Sequence, residues 1–399
     1  MIRQAVILVG GPGTRLGTLT TDTPKPLLPI AGLPFLNYLL PNLQRFGFDD
    51  FILLAQFQAE KIRNYCQTNP LPNANIRVIE EEKPAGTGGA LRNAKAMLEE
   101  TFLLANGDTI FDFNILEFVN WHKGIASPIA LSLRKMPDRS RYGNVKVDAS
   151  GLVTDYGEKS NETGLSGLIN GGVYLMSRSV IDSIPPSFVS LETDIMPKMV
   201  AQKQVYGRSF EGYFLDIGLP SSYALAQKEL PQWAQRKVVF FDRDGTLNLD
   251  LGYTYKIEDL VLLPGVGEVI RKCNESGRLA IVISNQGGIA RGLYTAQDAH
   301  DFNAAMNARL GAESAHIDAF YFCPHHPDFP TAPNTPPCKC RKPGIGLFEQ
   351  ACHDWHIDLT DALMVGNKDI DMQAAAAFGI AGVKTNGQDL TALFDGREL

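Results

Sequence analysis

The sequence predicts an α/β protein made of two doubly wound, mostly parallel-sheet domains. Three observations predict it. Apolar runs of strand character, Ala5–Val9 and Val238–Phe241, each break off into turn residues rich in glycine or aspartate, as buried parallel strands do at their carboxyl ends. Helical apolar spacing over Phe35–Phe46 alternates with strand-like runs such as Phe51–Ala55 and Leu279–Ile283, which is how βαβ units read. A chain of 399 residues is too long for one ordinary core, so two or three domains are expected. A closing helix at Pro220–Leu230 sets the boundaries at 1–230 for the first domain, 231–236 for a short connector and 237–399 for the second.

Composition narrows the class. Hydrophobic residues make up 44% and charged residues 20% of the chain, as in globular rather than disordered proteins. The net charge of −7 argues against nucleic acid or an anionic membrane as partner. No apolar run reaches the ~20 residues of a spanning helix. The start, MIRQAVILVGG, reads as a first strand and not a signal peptide. Six cysteines, three of them packed into Cys323–Cys340, read as a metal site in a reducing compartment, so a cytoplasmic protein is expected.

After the first strand come Gly10, Gly11, Pro12, Gly13, Thr14 and Arg15. Glycines there let backbone N–H groups turn toward an anion. Lys25 lies between Pro24 and Pro26, and the prolines hold an extended segment that can present one ammonium to phosphates. The string LVGGPGTRLGTLTTDTPKPLLPIAGLPFL resembles the signature of sugar-1-phosphate nucleotidyltransferases, Rossmann-like enzymes. The resemblance implies Gly10, Gly11, Gly13 and Thr14 as substrate-binding residues and Arg15 and Lys25 as catalytic ones. The segment Glu82–Ala90, with Gly86, Thr87 and Gly88, resembles the place where these enzymes seat the nucleotide base. Its GTGGA form is most similar to the heptose- and mannose-1-phosphate guanylyltransferase branch.

Asp108 and Asp216 each follow an apolar strand, where a carboxylate suits Mg²⁺ or caps a helix; the resemblance assigns both to the metal. Glu158 and Lys159 resemble the pair that contacts the sugar phosphate, although Ser160 stands where the family has proline. Asn170 resembles the sugar-contacting asparagine. Glu192 and Asp194 either approach sugar hydroxyls or begin a helix. The chemistry implied is attack of a sugar 1-phosphate oxygen on the α-phosphorus of a nucleoside triphosphate, helped by charge neutralisation.

The second domain opens on VVFFDRDGTLN, Val238–Asn248. Asp242 can attack phosphorus, Asp244 can protonate the leaving oxygen and then activate water, and Thr246 supplies a hydroxyl. This resembles the first motif of the haloacid dehalogenase superfamily. Ser284 and Asn285 resemble its second motif, which holds phosphoryl oxygens. Gly287–Gly292, including Arg291, is similar to the branch of heptose bisphosphate and histidinol phosphate phosphatases. Cys323, His325, Cys338 and Cys340 suit a closed, structural tetrahedral Zn²⁺ site; it would order the proline-rich stretch between them. Lys342 matches the third motif, the cation that steadies an aspartyl phosphate, and Arg341, a rigid fork, suits a second phosphate. The fourth motif departs: Asn367 stands where the family has an aspartate that binds Mg²⁺ with Asp242 and Asp244. Mg²⁺ then binds more weakly, Asp369 or Asp371 compensates, or the phosphatase is impaired.

Together the resemblances imply a bifunctional enzyme requiring Mg²⁺ at both sites and Zn²⁺ at one. A phosphatase would remove the 7-phosphate of a heptose 1,7-bisphosphate, and a guanylyltransferase would convert the product to GDP-heptose. The rival expectations are another sugar or nucleotide, a histidinol phosphate phosphatase, or a catalytically silent second domain.

Overall fold

A computed structural model of the chain describes residues 2–81, 83–139, 142–159, 164–329 and 338–394. Glu82, the side chains of Glu158 and Lys159, and the proline-rich 330–337 lie outside the described residues. The chain forms two compact units, Met1–Trp233 and Ala234–Leu399. Both are α/β, with parallel pairing at the centre of their main sheets.

In the first unit β1 (Gln4–Leu8) is followed by the small hairpin β2 (Pro29–Ile30) and β3 (Leu33–Pro34), then α1 (Leu36–Gln44) and β4 (Asp50–Ala55). Next come α2 (Ala59–Thr68), β5 (Asn75–Glu80), α3 (Gly86–Asn93), β6 (Thr101–Asn106), β7 (Thr109–Asp112) and α4 (Ile115–Lys123). The unit continues through β8 (Ile129–Met136), β9 (Gly143–Val147), β10 (Val153–Lys159), β11 (Gly167–Ser177), α5 (Met196–Ala201), β12 (Val205–Ser209), β13 (Tyr213–Asp216) and α6 (Pro220–Ala234). β1 pairs in parallel with β4 and β6, and β5 extends that side. Beyond β6 the direction turns: β11 runs antiparallel to β6, β8 and β9. Ala5, Val6 and Ile7 are fully buried, as a central strand covered on both faces requires.

The expected connector 231–236 is a correction. Residues 231–234 are the last turn of α6, and β14 already begins at Arg236. Pro231 inside the helix removes one backbone donor, but buried Leu230 holds the turn against the core, and Trp233 Nε1 donates to Asp112 Oδ2 at 2.9 Å.

The second unit runs β14 (Arg236–Phe241), α7 (Val266–Glu275), β15 (Leu279–Asn285), α8 (Ala296–Ala312), β16 (Ala319–Cys323), α9 (Gly346–Asp354), β17 (Ile357–Gly366), α10 (Asp369–Phe378) and β18 (Ala381–Lys384). Its sheet is parallel throughout, in the order β16-β15-β14-β17-β18. Successive strand residues face opposite sides. Val239 and Phe241 therefore enter one core with Ile270 and Phe302, while Val238 and Phe240 enter another with Phe348 and Ala375. Helices on both faces leave the carboxyl ends of the strands as the open edge, and the chemistry-bearing residues lie there.

Candidate functional site

The first unit has a cleft of about 450 Å³ at the ends of β1, β4, β5 and β6. Gly10, Gly11, Arg15 and Lys25 line it from one side, and Gly86, Thr87, Asp108 and Glu192 from others. Gly13 has φ +66°, and a Cβ there would lie 2.8 Å from Thr20 Cγ2, so the loop closes only with glycine. Lys25 Nζ meets Asp108 Oδ2 at 2.7 Å. Asp216 pairs with Thr109 across β13 and β7, and Ile217 N–H donates to Asp108 O at 2.9 Å. The two aspartates thus stand at neighbouring strand ends. Arg15 faces the same point: a Cβ on Gly218 would lie 2.7 Å from Asp216 Oδ1 and 3.2 Å from Arg15 Nη2. Two carboxylates beside a backbone nest fit a hard divalent cation, which prefers oxygen ligands.

The base-segment glycines do something more local than expected. Gly86 has φ +75°, and a Cβ there would lie 2.4 Å from Val189 O. Gly88 N–H donates to that same carbonyl at 2.9 Å. Thr87 Oγ1 donates to Glu192 Oε2 at 2.8 Å and accepts from Leu191 N–H at 2.8 Å. These residues therefore bind the start of α3 to the 187–192 segment. Glu192 belongs to the short helical turn Leu191–Ile195 and also faces the cleft; Asp194 instead accepts from Ser190 N–H.

Asn170 is held by its neighbours. Its Nδ2 donates to Tyr156 Oη at 3.0 Å and Tyr174 Oη at 2.7 Å, and its Oδ1 accepts from Gly172 N–H at 3.0 Å. The amide braces the inside of the sheet. Burial pushes the Tyr156 phenol up to about 12, so both tyrosines stay neutral partners of that amide at physiological pH. Glu81, missed by the sequence reading in favour of its neighbour Glu82, lines the cleft and accepts from Ala85 N–H at 2.9 Å. Burial pushes its carboxyl above the ordinary range. A run of three glutamates offered no signal to choose among them; only the end of β5 does.

The second unit assembles its site from four strand ends. Asp242 follows β14, Ser284 and Asn285 end β15, Cys323 ends β16, and Asn367 follows β17. Lys342 Nζ, almost fully buried, lies 2.7 Å from Asp242 Oδ1 and 2.7 Å from Asp371 Oδ1. Burial pushes the Asp242 carboxyl up, Lys342 pulls it down, and Asp371 and Asp244 add to the rise. Among the compensating aspartates considered, Asp371 is buried in this group, whereas Asp369 is exposed and paired with Lys384.

Asn285 is bound to the Lys342 backbone: Oδ1 accepts from Lys342 N–H at 2.9 Å and Nδ2 donates to Lys342 O at 3.1 Å. It fixes the backbone of the buried lysine. Both oxygens of Asp244, expected on a metal, accept from protein donors, Arg243, Asn248 and Gln286. Three further oxygens, Thr246 Oγ1, Asn248 Oδ1 and Asn367 Oδ1, are buried without a hydrogen-bond partner. Gly245, at φ +84°, admits the Asn367 amide where a Cβ would lie 2.1 Å from its Nδ2. Unsatisfied buried acceptors beside Asp242 fit Mg²⁺.

Beside this group, one atom each of Cys323, His325, Cys338 and Cys340 lies within 4.8 Å of the others. The separations are 3.2 Å for Cys340–Cys323, 3.5 Å for Cys323–Cys338 and 3.4 Å for His325 Nδ1–Cys340 Sγ. A tetrahedron with Zn–S bonds of about 2.3 Å has edges of about 3.8 Å, so the donor set fits a metal with little movement. Arg341, which follows Cys340, donates to His325 O at 3.0 Å. Arg291 lies over the rings of Phe329 and Tyr253, with Nη2 3.2 Å from His326 Nε2. His326 is therefore a partner of Arg291, outside the metal cluster.

Comparison with known proteins follows this division. A HAD-hydrolase-like family model matches residues 339–388. D-glycero-alpha-D-manno-heptose 1-phosphate guanylyltransferase of Aneurinibacillus thermoaerophilus is 36% identical over 233 residues, covering 58% of this chain and 99% of that protein. The enzyme of the same description from Campylobacter jejuni is 35% identical over 224 residues, covering 55% of this chain and 96% of that protein. A crystal structure of HddC from Yersinia pseudotuberculosis complexed with GMP-PN is similar with a TM-score of 0.51 and 32% identity, over 57% of this chain and 99% of that one. The nucleotidyl transferase family model matches residues 4–232, more than half of the chain, and the chain belongs to that family.

Proposed function

We propose that the chain is a bifunctional enzyme of nucleotide-activated heptose synthesis, working in the cytoplasm on small molecules. The second unit releases the 7-phosphate of D-glycero-D-manno-heptose 1,7-bisphosphate, and the first transfers GMP from GTP to the resulting heptose 1-phosphate. The observation that carries the pairing is the buried Lys342 bridging Asp242 and Asp371 at the strand ends of an all-parallel sheet. It supports reading the second unit as a phosphate-handling site in a chain whose first unit is a nucleotidyltransferase.

In the first unit the Gly10–Gly13 loop receives the triphosphate, and Arg15 and Lys25 draw charge off it as pyrophosphate departs. Glu192, with Oε2 held by Thr87 and Ser190, presents its remaining oxygen to a sugar hydroxyl. Magnesium, held by Asp108 and Asp216, would neutralise phosphate charge there. In the second unit Asp242 attacks the phosphorus, the P–O bond to the sugar breaks, and Asp244 gives the leaving oxygen its proton. Asp244 then takes a proton from the water that cleaves the aspartyl phosphate. Lys342 stays ion-paired throughout, and Arg341 and Arg291 at the rim suit the distal phosphate.

The test is a single reaction on the intact chain with the bisphosphate, GTP and Mg²⁺, read by anion-exchange chromatography. GDP-heptose is expected. Product formed only from heptose 1-phosphate would overturn the phosphatase half, as would phosphate release that survives Asp242→Asn. Product from mannose 1-phosphate, or from another nucleotide in preference to GTP, would move the substrate assignment.

A further inference from the structure

The second site contains a buried polar network around Asp244 whose other members the reaction above leaves unused. Gln286 is its hub and is 1% exposed. Its Nε2 donates to Asp244 Oδ2 and to Ser284 Oγ, both at 2.8 Å. Its Oε1 accepts from Arg243 Nη2 at 3.0 Å and from Tyr294 Oη at 2.6 Å. Both ends of the amide are therefore engaged, and one side chain ties the first acidic motif to the strand end that carries Ser284.

The partners are themselves fixed. Arg243, 1% exposed, donates to both oxygens of Asp244 and to Thr254 O at 2.7 Å, and it lies 4.5 Å over the Phe302 ring. Tyr294 stacks on Tyr255 with centroids 4.7 Å apart. Gly288 allows this, since a Cβ there would lie 2.2 Å from the Tyr294 ring. Asn248 Nδ2 donates to Asp244 Oδ1 at 3.1 Å. A buried polar network is costly to build, and an amide bonded at both ends, as Gln286 is, is held rigidly. An apolar residue of the same volume would fill the space at Gln286 as well, so packing alone does not call for an amide there.

We propose that Gln286 is a positioning residue for phosphate release: it holds the Asp244 carboxylate in one rotamer, at a fixed place relative to Ser284 and hence to the leaving oxygen. It touches no substrate and acts through Asp244. The inference rests on the phosphatase reading. Asn285 works in parallel through the Lys342 backbone, so consecutive residues at one strand end aim the lysine and the acid.

The test compares the full-length wild type, Gln286→Met and Gln286→Glu on two substrates with different leaving groups. A sugar oxygen needs a proton as it departs, whereas 4-nitrophenolate does not. On the sugar bisphosphate, kcat is expected to fall roughly a hundredfold, while KM changes less than about threefold. With 4-nitrophenyl phosphate, the pre-steady-state burst of nitrophenolate is expected to keep most of its rate. Equal losses on both substrates, a rise in KM alone, or no change would overturn the proposal. If Gln286→Met does not unfold cooperatively, the isosteric Gln286→Glu carries the comparison, because it keeps the volume and turns a donor into an acceptor facing Asp244. A wild type that releases phosphate from neither substrate would overturn the phosphatase reading and this proposal with it. Wild-type activity matched by both variants would overturn this proposal alone.

Discussion

Among the described residues of the transferase cleft, Lys25 and Asp108 form a close charge pair, and the lysine side chain is 12% exposed. Their value to stability is small, about 1 kcal/mol at a partly solvated pair. Their value to the reaction is larger, because charge accumulates on phosphate oxygens only as the transition state forms. Lys25→Ala should therefore cost on the order of 10² in kcat for pyrophosphate release with little change in unfolding temperature. A near-normal rate would remove Lys25 from the chemistry. Asn367 poses the opposite case. Its Oδ1 is a buried acceptor without a donor, next to Asp242 and the Lys342–Asp371 pair. Asn367→Asp adds a negative charge to that group, so the metal-free protein should melt lower and the Mg²⁺-loaded one higher. Apparent Mg²⁺ affinity should rise about tenfold, read by thermal shift against Mg²⁺ concentration. No gain would mean that Asn367 does not face the cation.

At the scale of elements, function depends on segments pinned at their ends. The start of α3 is pinned to the 187–192 segment by Gly86 and Gly88. Gly86→Ala introduces a side chain at φ +75°, 2.4 Å from a backbone carbonyl, and should cost about 1–3 kcal/mol. The KM for GTP should rise as the segment shifts; unchanged KM and stability would show that the contact is dispensable. The metal loop is pinned in another way. Cys340 is followed directly by Arg341 and Lys342, and Gly346 N–H donates to Lys339 O at 2.9 Å. Treatment with a chelator that strips any metal from these four donors, followed by restored Mg²⁺, should abolish phosphate release and leave nucleotide transfer intact. Loss of both activities, or of neither, would contradict a local role for the cluster.

Over the whole molecule, each unit has its own sheet and its own apolar clusters. The chain cut between Trp233 and Ala234 should yield two fragments that fold and keep their separate activities. A first fragment ending at residue 230 should be less stable than one ending at 234 by about 1–2 kcal/mol. It lacks the Trp233–Asp112 hydrogen bond and the stacking of Trp233 on Tyr213. Denaturant titration of the two fragments measures that difference, and equal midpoints would place the boundary at 230. Among the described residues, no helix is long and apolar enough to cross a membrane.

Much of this was legible from one dimension, because strands covered on both faces read as apolar runs and their carboxyl ends as glycine- and aspartate-rich turns. Gly10–Gly13, Lys25, Asp242, Lys342 and the Cys/His set were all visible as local patterns, since short-range spacing determines what a loop can present. What no local pattern contains is which partner a polar side chain finds. Asn170, Asn285 and Asp244 look like ligands to a substrate or metal in sequence. In space they are also hydrogen-bonded to Tyr156 and Tyr174, to the Lys342 backbone, and to Arg243, Asn248 and Gln286. Glu81 and Gln286 look incidental in sequence, yet one lines the transferase cleft and the other joins two motifs. Local patterns specify the fold class, the places where strands end and the chemical types gathered there. Contacts across the fold select which neighbours each of those groups meets. A buried polar atom must be satisfied by whatever lies within about 3 Å, and those neighbours come from strands far apart in the chain.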